Sequence, residues 1–197
     1  MTKLLAVSTA VALAAFSGAA NADVVLSNLS SPGTLSWITI GNLGAPPAIG
    51  VSFTMSSNAT LDSAVLRLNV AAVATPIVTI WSDVGGLPGA MLYTLTNPTF
   101  STGYNNWSFA APAGATLNGG STYHLVLQRT AGGTIQWNAA TANATGPGAT
   151  FNTGVRLVSG NWTTAANSPV FEIVTTPTPG AAAVLGLGGL AALRRRR

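Results

Sequence analysis

The chain has no cysteine, one histidine and a single lysine, Lys3, in 197 residues. Without cysteine there are no disulfides and no thiolate metal sites. One histidine, His124, cannot assemble a zinc site of three or four protein ligands. Charged residues make up only 6% of the chain, and its acids are Asp23, Asp62, Asp83 and Glu172. A glycosidase needs two carboxylates flanking one bond, about 5–9.5 Å apart. Each acid here has a simpler structural reading. Asp23 opens the mature chain, Asp62 precedes a strand, and Glu172 lies on an outward strand face. Asp83 sits in a turn, where aspartate bonds the backbone. His124 alternates with Tyr123, Leu125 and Leu127, which puts it on the solvent side of a strand, and no G-x-S-x-G elbow accompanies it. The inventory points to a non-catalytic protein that needs no cofactor. Calcium is the one ion left open, at Asp83 with turn carbonyls, because it accepts oxygen ligands of several kinds.

The formal charge of +4 belongs to the ends. Lys3 and Arg194, Arg195, Arg196 and Arg197 supply most of the positive charge. Between them, Arg67, Arg129 and Arg156 face four acids, a net charge of −1. No basic patch is available, so nucleic acid, whose binding rests on several Lys/Arg–phosphate contacts, is not a partner.

The ends carry addresses. Met1-Thr2-Lys3 is a brief basic start, Leu4 to Phe16 is small and apolar, and Ala20-Asn21-Ala22 forms an A-x-A site with cleavage between Ala22 and Asp23. Residues 1–22 therefore read as a secretory signal peptide. At the other end, residues 175–180 form a linker containing Pro177, Pro179 and Gly180. Residues 181–197 follow, with apolar Ala181 to Leu193 and then the four arginines. As a helix, the apolar stretch reaches roughly 20 Å, whereas a bilayer core of about 30 Å takes about 20 residues. A transient membrane stop, with the arginines on the cytoplasmic side, fits better than a permanent transmembrane helix. This layout resembles the PEP-CTERM sorting signal, with Thr178 where that family's name has glutamate. The resemblance implies an exosortase-like processing enzyme and co-occurrence with exopolysaccharide production. Export and a C-terminal stop would place residues 23–176 at the cell surface or in the extracellular matrix of a bacterium.

The body, residues 23–174, is punctuated by Gly, Asn, Pro, Ser and Thr every eight to twelve residues or so, the spacing of an all-β domain. Leu66, Leu68 and Val70 alternate with Arg67 and Asn69. Ile135 and Trp137 alternate with Gln136, Trp107 and Phe109 with Asn106 and Ser108, and Phe171 and Ile173 with Glu172. Period two with one polar face marks antiparallel strands half-exposed to water. Pro76 to Trp81 is more continuously apolar, as a strand buried on both sides would be. Strands are also expected near Val24–Leu26 and Leu35–Ile40. The turns are explicit at Asp83 to Gly89 and at Asn118 to Ser121. Ala131-Gly132-Gly133, between two alternating runs, reads as a hairpin connection. A domain near 150 residues buries about 68–70% of its unfolded surface, enough to fold without disulfides. The expected fold is one antiparallel β-sandwich of jelly-roll type.

Leu117-Asn118-Gly119-Gly120-Ser121-Thr122-Tyr123-His124-Leu125-Val126-Leu127 matches an L-x-x-G-x-x-Y-x-L-V-L pattern. Together with Ser52-Phe53-Thr54 and the Ile77–Asp83 strand with its Gly-Gly-Leu-Pro-Gly turn, it resembles the choice-of-anchor R group of bacterial surface domains over roughly residues 48–174. The resemblance implies a fold and a location, and no catalytic assignment.

Five tryptophans in a weakly charged body are the remaining signal. Aromatic faces stack on apolar surfaces, and β-sandwiches that bind glycans commonly use such platforms with Asn and Gln nearby. The candidates are Trp107 beside Asn105 and Asn106, Trp137 between Gln136 and Asn138, and Trp162 after Asn161. Alternation favours the core for Trp81, Trp107 and Trp137, whereas Gly160-Asn161-Trp162-Thr163 resembles a hairpin tip. The expected role is that of an exported, non-catalytic protein associated with extracellular polysaccharide. The alternatives are a specific carbohydrate-binding module and a structural or adhesive glycosylated surface protein.

Overall fold

The computed structural model describes residues 22–41, 47–71, 74–130, 133–166 and 168–177, apart from the side chains at 32–36 and 177. The strands, in order, are β1 (Asp23–Ser27), β2 (Pro32–Ile40), β3 (Ala48–Met55), β4 (Ala59–Val70), β5 (Pro76–Val84), β6 (Leu87–Thr94), β7 (Tyr104–Ala110), β8 (Thr116–Leu117), β9 (Thr122–Arg129), β10 (Ile135–Ala140), β11 (Ala149–Val158), β12 (Asn161–Ala165) and β13 (Phe171–Pro177). No described residue is helical, and among the described residues no helix is long and apolar enough to cross a membrane. Residues 1–21 and 178–197, which hold most of the two expected sorting signals including Pro179, Gly180 and the four terminal arginines, lie outside the described residues.

The strands form a sandwich of two antiparallel sheets. A seven-stranded sheet runs β1-β13-β4-β10-β2, with β7 and β8 on the other side of β4, and a six-stranded sheet runs β12-β11-β3-β9-β5-β6. Period two decides which side chains meet between them. Val51 and Phe53 of β3, Leu125 and Leu127 of β9 and Val78 and Ile80 of β5 pack in one core with Leu66 and Leu68 of β4, Trp137 of β10 and Phe171 of β13. Burying one such side chain fully is worth about 1.5–3 kcal/mol. Asn28, only 3% exposed, is a polar clip at the rim. Its carbonyl accepts the Phe171 N–H at 2.8 Å and its amide donates to Pro169 O at 3.0 Å.

Two tight hairpins use the same turn. Gly85 and Gly86 have φ of 63° and 85°, and Ser159 and Gly160 have φ of 49° and 82°. Each pair links directly paired residues, Val84 with Leu87 and Val158 with Asn161. Positive φ at both central positions is the type I′ turn, whose twist matches that of its strands.

Three expectations are corrected. Ala131 to Gly133 does not close a hairpin, because β9 belongs to the six-stranded sheet and β10 to the seven-stranded one. Both edges of β9 are taken, by β3 and β5, so the chain must cross to the other layer. β13 extends through Thr175, Thr176 and Pro177, paired with Leu61, Thr60 and Ala59, so the sheet takes in residues expected in the linker. Finally, β9 is buried on both faces from Tyr123 to Leu127, and not on one.

Candidate ligand surface at Trp81 and Trp162

The burial of β9 follows from the shape of the six-stranded sheet. Trp81 on β5 lies opposite His124 on β9, and His124 lies opposite Ser52 on β3, so all three point away from the sandwich core. Trp162 is on β12, opposite Leu157 of β11. In a flat sheet, four strand steps of about 4.8 Å would hold β5 and β12 roughly 19 Å apart. The Trp81 and Trp162 rings nonetheless meet edge to face at 6.1 Å, and β6 contacts β12. The sheet is therefore curled, with its outer face concave. Within that curl Ser52, Thr79, His124, Val126 and Val155 are at most 1% exposed. Gly50 is part of this tight layer: a Cβ there would stand 2.7 Å from Leu125 O, 3.0 Å from Val126 Cγ2 and 3.1 Å from Val155 Cγ2.

His124 is held by Asp83. Its Nε2 lies 2.8 Å from Asp83 Oδ1. A carboxylate only accepts, so Nε2 carries the proton. The other oxygen, Oδ2, accepts the Gly86 N–H at 3.1 Å, which fixes the β5–β6 turn. Nδ1 of His124 is buried without a partner, tolerable for a lone pair and costly for an N–H. Burial lowers the histidine's affinity for a second proton, against the opposing pull of Asp83. Trp81 Nε1 donates to Thr79 Oγ1 at 2.8 Å, which sets the indole along its own strand.

Trp81 and Trp162 are both half-buried, so part of each ring faces solvent. On the same face stand half-buried Asp83, which bonds His124, exposed Thr164, opposite Val155, and Met91, opposite Trp81 and 56% exposed. Ser82 and Asn161, one residue along each strand, alternate to the other side. The arrangement can offer an aromatic corner with polar neighbours to a ligand that has both apolar and hydroxyl faces.

The other expected contacts are placed differently. Trp137 is completely enclosed, and its indole N–H donates to Val170 O at 2.8 Å. It offers no face to a ligand. Trp107 is half-buried, packs edge to face on Phe100 at 5.1 Å and donates to Leu68 O at 3.3 Å, so it serves the wall of the core. Asn161 opens β12, exposed, with its amide 3.4 Å from Ser159 O. Trp162 is the second residue of β12 and not the hairpin tip, which is Ser159-Gly160. Both carboxylate oxygens of Asp83 are engaged, and no group of three His, Cys, Asp or Glu side chains converges among the described residues. Ala22 and Asp23, at the expected cleavage point, are exposed.

His124 is the main correction. It does sit on the outward face of β9, as alternation requires, yet it is 0% exposed. Outward means wet only on a flat sheet, and this one curls. The same curl makes Trp81 a surface partner of Trp162, a role no local pattern announces. No protein-family model matches the chain, and no curated protein matches it.

Proposed function

We propose that the protein is an exported, non-catalytic component of a bacterial cell surface or extracellular matrix, associated with polysaccharide. Its C-terminal tail would meet the membrane transiently and be processed by an exosortase-like enzyme. The body is a sandwich of jelly-roll type in this reading.

One observation carries the polysaccharide part. Trp81 and Trp162 are brought from distant strands to one concave surface, with Asp83 and Thr164 on the same face. The C–H face of a pyranose ring is apolar and slightly positive, the complement of an indole face, and its hydroxyls suit polar neighbours such as the Thr164 hydroxyl. The scarcity of charge in the body suits a neutral polymer.

The test is retention of the purified full chain on immobilised neutral polysaccharides and on the organism's own matrix. Saturable retention that Trp162→Ala weakens supports the reading. A folded protein that no polymer retains would overturn it in favour of a purely structural or adhesive surface role.

A further inference from the structure

A second aromatic pair stands on the opposite side of the sandwich, on the outer face of the seven-stranded sheet. Trp37 of β2 and Tyr104 of β7 stack with ring centroids 3.9 Å apart and planes inclined by 20°. The ladder brings amides beside them. Thr39 lies opposite Gln136, Gln136 opposite Asn69, and Asn69 opposite Tyr104. One polar row thus crosses β2, β10, β4 and β7. Gln136 Oε1 accepts both the Tyr104 hydroxyl at 2.6 Å and the Asn69 amide at 3.1 Å. These bonds set the tyrosine ring before any ligand arrives, which reduces the ordering cost of binding.

What remains is a recognisable set of groups. Tyr104 is 38% exposed. Gln136 Nε2 and Asn69 Oδ1 have no hydrogen-bond partner among the described residues, so one donor group and one acceptor group stand beside the rings. The charged side chains on this part of the face are Arg67, opposite Asn106, and Glu172, opposite Val65. They offset one another, so the face favours neither an anionic nor a cationic chain. An aromatic stack with amide donors and acceptors and no net charge complements a neutral sugar.

We infer that the Trp37–Tyr104 face is a second saccharide site, taking a neutral pyranose chain with a sugar ring on the aromatic pair and hydroxyls on Asn69 and Gln136. The inference rests on the polysaccharide reading proposed above and extends it. Because the two pairs lie on opposite outer faces, one molecule contacts two chains and links them, which is a matrix function in itself.

The experiment is a titration of the uniformly ¹⁵N-labelled full chain with cellohexaose, laminarihexaose and mannohexaose, and with trigalacturonate as the acidic arm. The reporters are the Gln136 and Asn69 side-chain amides and the Trp37 indole on one face, and the Trp81 and Trp162 indoles on the other. A neutral hexasaccharide is expected to move both sets. Tyr104→Ala is expected to weaken the first set's response about five-fold, the loss of one good aromatic contact, and to leave the Trp81 and Trp162 response unchanged. Tyr104→Phe keeps the ring and should keep most of the affinity. Shifts confined to Trp81 and Trp162 would overturn this site and leave the polysaccharide reading standing. Shifts at the first set with trigalacturonate alone would overturn the neutral assignment. No shift with any oligosaccharide would count against both.

Discussion

Trp81 and Trp162 meet edge to face at 6.1 Å although β9, β3 and β11 lie between their strands. The contact is possible only on a curled sheet, whose concave face encloses His124, Ser52 and Val126.

The two rings should therefore be energetically coupled. Trp81→Ala and Trp162→Ala are each expected to destabilise the protein by about 1–3 kcal/mol. The double variant should fall short of their sum by about 0.5–1.5 kcal/mol, the range of aromatic pairs. Urea unfolding of the four proteins of the cycle measures it. Simple additivity would mean that the rings touch without supporting the sheet.

The His124–Asp83 pair predicts a pH dependence. Burial holds the folded-state pKa of His124 below the ordinary 6.5, with Asp83 opposing. The unfolded chain then binds the proton first, so stability is greatest above about pH 6.5 and declines as the pH falls towards the folded-state value. His124 is the only histidine, so the slope in this window belongs to it. Urea midpoints at pH 7.5, 6.5 and 5.5 should decrease for the native chain and stay level for His124→Asn. A native midpoint that rises on acidification would mean that Asp83 stabilises the imidazolium by more than burial penalises it.

Sequence reasoning reached the two faces of β4, β7, β10 and β13, because side-chain alternation is a local property, but it did not announce β11 and β12 or the outward face of Trp81 on β5. It placed Leu66 and Leu68 inside and Asn69 and Gln136 outside, and β4 and β10 keep both assignments. The partners of each strand were beyond it. The connection at 131–133 has the glycines of a hairpin, yet whether β10 can pair with β9 depends on β3 and β5, which come from much earlier in the chain. The candidate site was legible for the same reason only in part. Trp162 and Asp83 stood out by residue type, whereas the meeting of Trp162 with Trp81, of Asp83 with His124 and of Trp37 with Tyr104 all depend on sheet order and curvature.

Asn28 is a contact of that invisible kind. Asn28→Ala would leave the Phe171 N–H without its acceptor and Pro169 O without its donor in a buried place. Each unsatisfied group costs about 1–3 kcal/mol, so the expected loss is about 2–4 kcal/mol. Amide hydrogen exchange at Phe171 should accelerate more than exchange in β9. Equal acceleration throughout would show global destabilisation without a local clip.

The Ser159-Gly160 turn offers a change in the stabilising direction, with a functional consequence. Ser159 has φ of 49°, a left-handed conformation that costs an ordinary L-residue about 1–2 kcal/mol. Asparagine tolerates it better, and Asn-Gly is the preferred type I′ pair. Ser159→Asn is therefore expected to raise stability by about 0.5 kcal/mol, and β-branched Ser159→Val to lower it by about 1 kcal/mol. Both are measured by thermal or urea unfolding. The turn leads directly into Asn161 and Trp162. If Trp162 contacts glycan, a firmer hairpin orders that ring in advance, so Ser159→Asn should slow dissociation from a retained polysaccharide and Ser159→Val should hasten it. Stability changes of the expected signs without any change in retention would place Trp162 among the groups that hold the sheet's curl and remove it from the binding surface.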